Sequence, residues 1–279
     1  MEADRRILSP EDYAEPRCLL CDEPYGKPAA KPIPQQRVIE KMDEYMARRD
    51  YAGAERHLLY WLEEAKLGGD GRGEILVRNE LIGHYRKTGE KEKGLQSVEE
   101  AMRLLKQLDF ENTLSAGTSY VNSATFFNSI GENEKALGYF EKAKALYESA
   151  ANTRPELLGG LYNNMALVLT ALGRFGEAHA LYDRAMETMK KVPGGALEQA
   201  ITCLNRADAI AAQKGTEAGE SEIFDLLDQA LALLFSPEVP QNGYCAFVYE
   251  KCAPTFSYYG YFADAEKLKK RAEELYAGA

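Results

Sequence analysis

Seven amide or cationic side chains and one cysteine pair are the residues whose types and spacing point to chemistry: Asn79, Asn122, Asn163, Asn164, Asn205, Arg206 and Lys251, with Cys18 and Cys21. The asparagines recur at fixed places in stretches with helical periodicity. Inside a helix Asn is disfavoured by roughly 0.5 kcal/mol against Ala, so a row of them calls for a role. A side-chain amide offers both a donor and an acceptor, which suits the backbone of an extended peptide whatever its sequence. The other reading of Asn163 and Asn164, hydrogen bonding between neighbouring helices, stays open.

Cys18-Leu-Leu-Cys21 puts two thiols on one side of a turn, which is half of a zinc site. Cys203, Cys245, Cys252, His57, His84 and His179 supply no second pair at ligand spacing, so a complete site would need two chains. Thioredoxin-like redox chemistry lacks its βαβ surroundings. The plain alternative is a tail in which Leu19 and Leu20 dock on the first hairpin. No enzyme is expected: the chain has no Gly-rich phosphate loop, HExxH or GxSxG, and Glu–Lys pairs at helical spacing are what a solvated helix face looks like.

The elements that must position these residues are helical hairpins. In Leu161–Met186, apolar residues run at three-and-four spacing on both sides of Gly173, with Ala166, Ala178 and Ala185 where two helices must come close. Steps of 42 from Gly173 reach Gly89, Gly131 and Gly215, and a step of 45 then reaches Gly260. The three extra residues are expected in the turn-rich run Thr216–Ser221. Twelve residues after the glycines stand Ala101, Ala143, Ala185, Ala230 (three later) and Ala272, and five after stand Gly94, Ala136, Ala178 and Ala265. These small residues mark helix crossings, with Val98, Phe140, Tyr182 and Leu227 filling the space around them. Four before the glycines, Tyr85, Phe127, Leu169, Ala211 and Phe256 form the apolar body of each first helix. Arg37–Lys66 reads as a weaker hairpin without a turn glycine, as suits a terminal repeat.

This pattern resembles the tetratricopeptide repeat, in the longer-period form of kinesin light chains, over residues 36–279. The resemblance implies an all-α superhelix, a right-handed solenoid of about six hairpins whose first helices line a concave groove. It also implies that Asn79, Asn122, Asn164 and Asn205, with Asn163 beside them, grip a peptide main chain there, as asparagines in similar places do in kinesin light chains and bacterial peptide-sensing regulators, and that Arg206 and Lys251 offer charge to an acidic side chain or a terminal carboxylate. Nine residues before the glycines stand Glu80, Asn122, Asn164, Arg206 and Lys251; ten before stand Asn79, Val121, Asn163, Asn205 and Glu250. The chain departs from the family's chaperone-binding clamps, because Val121, Thr125 and Thr202 replace clamp residues. It also departs from the peptide-sensing transcription regulators, because its proline-rich start cannot supply a helix-turn-helix.

Residues 1–35 differ from the rest, holding six of the eleven prolines, and are expected to run extended as a tail ahead of the solenoid. The composition, 45% hydrophobic and 28% charged, is that of an ordinary globular protein. No apolar run approaches the ~20 residues of a membrane helix, and no signal core opens the chain. Five cysteines, an odd number, suit a reducing cytoplasm. Against 34 basic residues stand 44 acidic ones, so a net charge of −10 argues against nucleic acid.

The expectation is a non-enzymatic cytoplasmic adaptor binding an extended peptide of another protein. The alternative is a self-assembling or autoinhibited regulator, whose tail docks in its own groove or joins two chains as a homodimer, with zinc at Cys18 and Cys21. Cys203, Cys245 and Cys252 are expected to be structural, and His57 and His179 to lie on the surface. In the last frame Phe256 and Phe262 belong to the core by register, and at least one of Tyr258 and Tyr259 should be exposed.

Overall fold

The structure, a computed structural model, describes residues 31–277; the Cys18–Cys21 pair lies outside them. Twelve α-helices follow one another, and no strand occurs among the described residues. They are α1 (Gln35–Ala47), α2 (Tyr51–Leu67), α3 (Gly71–Thr88), α4 (Lys91–Gln107), α5 (Leu114–Ser129), α6 (Asn133–Ser149), α7 (Pro155–Ala171), α8 (Phe175–Met189), α9 (Ala196–Lys214), α10 (Glu220–Leu234), α11 (Gly243–Tyr258) and α12 (Phe262–Ala277). Two compact units divide the chain. Unit 1 takes residues 31–132 and 141–153, and unit 2 takes 133–140 and 154–277, so α6 is shared between them.

Within unit 1, α1 pairs with α2 and α3 with α4, while α5 packs on α3 and α4. The second half of α6 joins α5 through Tyr147, whose hydroxyl lies 3.2 Å from Thr118 Oγ1. Within unit 2 the hairpins are α7–α8, α9–α10 and α11–α12, and α9 packs on both α7 and α11.

The turn glycines carry the punctuation. Gly89, Gly131, Gly173, Gly215 and Gly260 have φ between 72° and 88°, a region that L side chains enter only with strain. After four of them the next helix begins two residues on, at Lys91, Asn133, Phe175 and Phe262; after Gly215 it begins five on, at Glu220. The three inserted residues (5 − 2 = 3) are therefore absorbed in that turn, as expected. In the first hairpin, which has no turn glycine, Arg49 takes the left-handed conformation with φ 56°. Polar caps start other helices. Asp50, Asp70, Thr113 and Asn242 each accept a hydrogen bond from the backbone N–H three residues ahead.

The small residues sit where the register puts them. Ala101, Ala143, Ala185, Ala230 and Ala272 are all buried, as are Val98, Phe140, Tyr182 and Leu227 between them. Gly94 shows what sets the size limit: a Cβ built there would lie 2.1 Å from the Phe126 ring on α5. Phe256 is buried, but Phe262 is not the core residue that register suggested. As the first residue of α12 it is 68% exposed, off the face on which Ala265, Leu268 and Ala272 are buried. Tyr259 is buried and Tyr258 is 74% exposed, one of each as required. His57 also departs from expectation: it is half-buried on α2, with Nε2 3.0 Å from the Val38 carbonyl oxygen of α1.

Candidate functional site

The polar residues of the first helices divide into two columns with different states. In the column ten before the glycines the amides are used inside the protein. In unit 1, Asn79 on α3 donates through Nδ2 to Ser119 Oγ on α5 at 2.9 Å. In unit 2, Asn205 on α9 donates through Nδ2 to Asn163 Oδ1 on α7 at 3.0 Å. These bonds tie each first helix to the next. For Asn163 this is the inter-helix bonding that the sequence left open; Asn79 and Asn205, read there as peptide contacts, are bonded between helices as well.

One residue on, the column nine before the glycines faces elsewhere. The side chains of Asn122 on α5 and Asn164 on α7 are half-buried and make no hydrogen bond among the described residues. Neither amide is sealed from solvent without a partner, in contrast to Asn79 Oδ1, which is. In unit 2 the same column continues as Arg206 on α9 and Lys251 on α11. Arg206 Nη1 pairs with Asp183 Oδ1 of α8 at 2.6 Å. Lys251 is exposed and forms no ion pair among the described residues. Because α7, α9 and α11 pack in succession, this register lays an amide, a guanidinium and an ammonium in one row.

At the α11 end of the row stand Tyr244 and Phe247, seven and four residues before Lys251 and so on the same helix face. Both are exposed, and their rings stack at 6.4 Å with planes 26° apart. Tyr244 Oη donates to Glu198 Oε1 of α9 at 2.8 Å. Desolvation of the hydroxyl end against α9 first, and the Glu198 carboxylate next, raise the phenol above its usual range although the ring is half-exposed, so it remains a neutral donor. Sequence reasoning missed this pair as site residues. Counting back thirteen and sixteen from Gly260 would have placed them in the same face as Lys251, where the earlier first helices carry smaller groups such as Thr202 and Gly160.

In unit 1 the column begins with Glu80 on α3. Its carboxyl is pushed up to about 7, by burial first and then by the like charge of Asp43 on α1. The ionised form is thus disfavoured in the folded chain. As pH rises from about 4.5, the unfolded chain loses this proton while the folded chain keeps it, so stability falls until about pH 7 and is level above. Glu80→Gln is expected to match the parent at pH 5 and to exceed it by about 1–2 kcal/mol at pH 8, allowing for the side chain's partial exposure. Urea unfolding at the two pH values measures this, and a gain of the same size at both would contradict the assignment.

The remaining candidates do other work. Cys203, Cys245 and Cys252 are buried free thiols. Burial raises all three, Cys203 to about 11 and Cys252 to about 12, so they behave as small hydrophobes. His179 Nε2 lies 2.9 Å from Gln213 Oε1. Among the described residues no group of three or more His, Cys, Asp or Glu side chains is arranged to hold a metal. No helix there is long and apolar enough to cross a membrane.

The tetratricopeptide repeat family profile matches residues 158–194, which span α7, α8 and the turn after them. Comparison with curated protein sequences gives no match. Among solved structures, BtubC (BKLC) from P. vanneervenii is similar with a TM-score of 0.50 and 18% identity, over 88% of this chain and 91% of that one. The Rap protein solved in complex with Competence and Sporulation Factor is similar with a TM-score of 0.54 and 16% identity, over 86% of this chain and 63% of that one. A putative kinesin light chain from Podosopora anserina with nearly identical TPR-like repeats has a TM-score of 0.48 and 17% identity, over 72% and 94%. Residues 158–194 match the tetratricopeptide repeat, and the chain as a whole shares the helical-repeat fold of the solved structures it is similar to.

Proposed function

We propose that the protein is a non-enzymatic adaptor that holds an extended segment of another protein along the first helices of unit 2, at Asn164, Arg206 and Lys251. In unit 1, Asn122 offers the same kind of amide. One observation carries the reading: Asn164 keeps its amide uncommitted, while its neighbour Asn163 is bonded to Asn205. A helix that spends one asparagine on its neighbour and leaves the next available has a scaffold column and a ligand column side by side.

Asn164 offers the peptide backbone a donor and an acceptor. Lys251 offers charge to a carboxylate, and Arg206 joins it by exchanging Asp183 for the ligand. Tyr244 and Phe247 offer flat apolar surface beside that charge. That a protein of this fold, Rap, has been solved with Competence and Sporulation Factor bound supports the mode of action. The free thiols of Cys203, Cys245 and Cys252 suit a reducing, cytoplasmic setting.

The test is capture from native lysate on the intact protein beside an Asn164→Ala variant of unchanged helical content. A protein retained by the first and lost by the second is the expected result. Equal recovery on both would remove the amide column from the account.

A further inference from the structure

The helix α2 buries Ala54, Leu58, Leu62 and Ala65 and turns a second apolar stripe outward. Leu59 is 42% exposed, Tyr60 57% and Leu67 82%, with Arg56 and Glu63 set among them. Tyr60 and Leu67 are seven residues apart and so share one side of the helix. An outward stripe on the first hairpin needs a cover, and the entering chain is held beside it.

The Lys31 backbone N–H donates to the Gly68 carbonyl at 3.2 Å, one residue past Leu67. The Ile33 N–H donates to Asp70 Oδ2 at 2.9 Å, and the Ile33 side chain is buried in the core with Val38 and Leu58. Residue 31 is therefore fixed at the C-terminal end of α2, and thirty residues precede it. Leu20 stands eleven before Lys31, and in a proline-rich stretch advancing ~3.1 Å per residue that is a reach of about 34 Å. The whole of α2, at ~1.5 Å per residue, is only about 25 Å long. Within residues 18–25 the large apolar residues are Leu19, Leu20 and Tyr25, while Ile7, Leu8 and Tyr13 stand farther from Lys31 along the chain.

We infer that residues 18–25 of the chain's own N-terminal segment cover the outward stripe of α2, with Leu19 and Leu20 on Leu59 and Tyr60, and Tyr25 on Leu67. The Cys18 and Cys21 thiols flank the docked leucines and are shielded by the contact. The segment acts as a fixed cap of the first hairpin, independent of the peptide row in unit 2.

Thiol alkylation of the full-length chain tests this, because Cys203, Cys245 and Cys252 are buried and the fast-labelling thiols are those of the segment. Peptide mass spectrometry follows Cys18 and Cys21 in the parent, in Leu59→Asp/Tyr60→Asp, and in the distant control Tyr258→Asp. The expected result is protection in the parent and in the control. In the α2 variant, labelling should rise at least tenfold, towards the rate in denaturant. Since Leu59 and Tyr60 face outward, helical content should be unchanged; Leu19→Asp/Leu20→Asp, which leaves the helices untouched, should open the thiols equally. Fast labelling in the parent would overturn the proposal. So would protection that survives the α2 variant, protection lost in Tyr258→Asp, or protection that fades on dilution, as a second copy's segment would show.

Discussion

Phe126→Ala is expected to destabilise unit 1 by about 3–5 kcal/mol, and the partner that explains the size of the effect is a glycine. Phe126 is fully buried on α5, and its ring occupies the space a side chain on Gly94 of α4 would need. The corresponding positions in later hairpins, Ala136, Ala178 and Ala265, hold a methyl group. Gly94→Ala alone should therefore cost about 1–3 kcal/mol through overpacking, in spite of the ~1 kcal/mol that Ala gains over Gly in a helix. In a Phe126→Leu background the same change should become neutral or favourable. A double-mutant cycle read by urea unfolding gives the coupling directly. Additive effects would mean that the ring and the missing methyl do not compete for one space. Gly159→Ala is a useful contrast, since its close neighbour is the flexible end of Met189.

Arg78→Ala is expected to cost about 3 kcal/mol. Arg78 and Glu74 are both buried on α3, joined at 2.7 Å, with Glu100 of α4 3.8 Å away. Removing the guanidinium leaves the Glu74 carboxylate buried without its counter-charge, which is more costly than the pair is valuable. Replacing both, as Glu74→Leu with Arg78→Met, should cost far less than Arg78→Ala alone. Urea midpoints of the three variants decide the matter. Equal losses in the single and double variants would show that packing, not charge, sets the cost.

The hairpins were legible because turn chemistry and small-residue spacing are local and repeat. Gly173 alone predicts a turn weakly, but Gly89, Gly131 and Gly215 at steps of 42, each followed by an alanine twelve residues on (fifteen after Gly215, with its insertion), leave little else to build. Charge was less legible. Glu74 and Arg78 stand at the same spacing as solvated pairs such as Lys144 and Glu148, and only the packing of other helices on α3 buries them. Phe262 misled because register describes a helix interior, and this residue opens one. For the site, the sequence marked both asparagine columns and could not tell them apart. Adjacent positions on a helix point about 100° apart, so whether Asn163 or Asn164 meets the next helix depends on the packing of α7 against α9, which only coordinates show. The Cys18–Cys21 pair is the reverse case: its spacing allows chelation, and nothing in the described residues completes it.

The central claim is that the two columns differ in role, and the most direct measurement compares Asn164→Ala with Asn205→Ala in one titration series. A peptide from the captured partner is titrated into both variants and the parent, with a urea unfolding curve for each. Asn164→Ala should weaken binding about 5- to 30-fold, the ~1–2 kcal/mol of a lost amide pairing, with its unfolding midpoint unchanged. Asn205→Ala should lower stability by about 1 kcal/mol and leave affinity within about twofold. The opposite pattern, or equal effects of both variants on binding, would contradict the account.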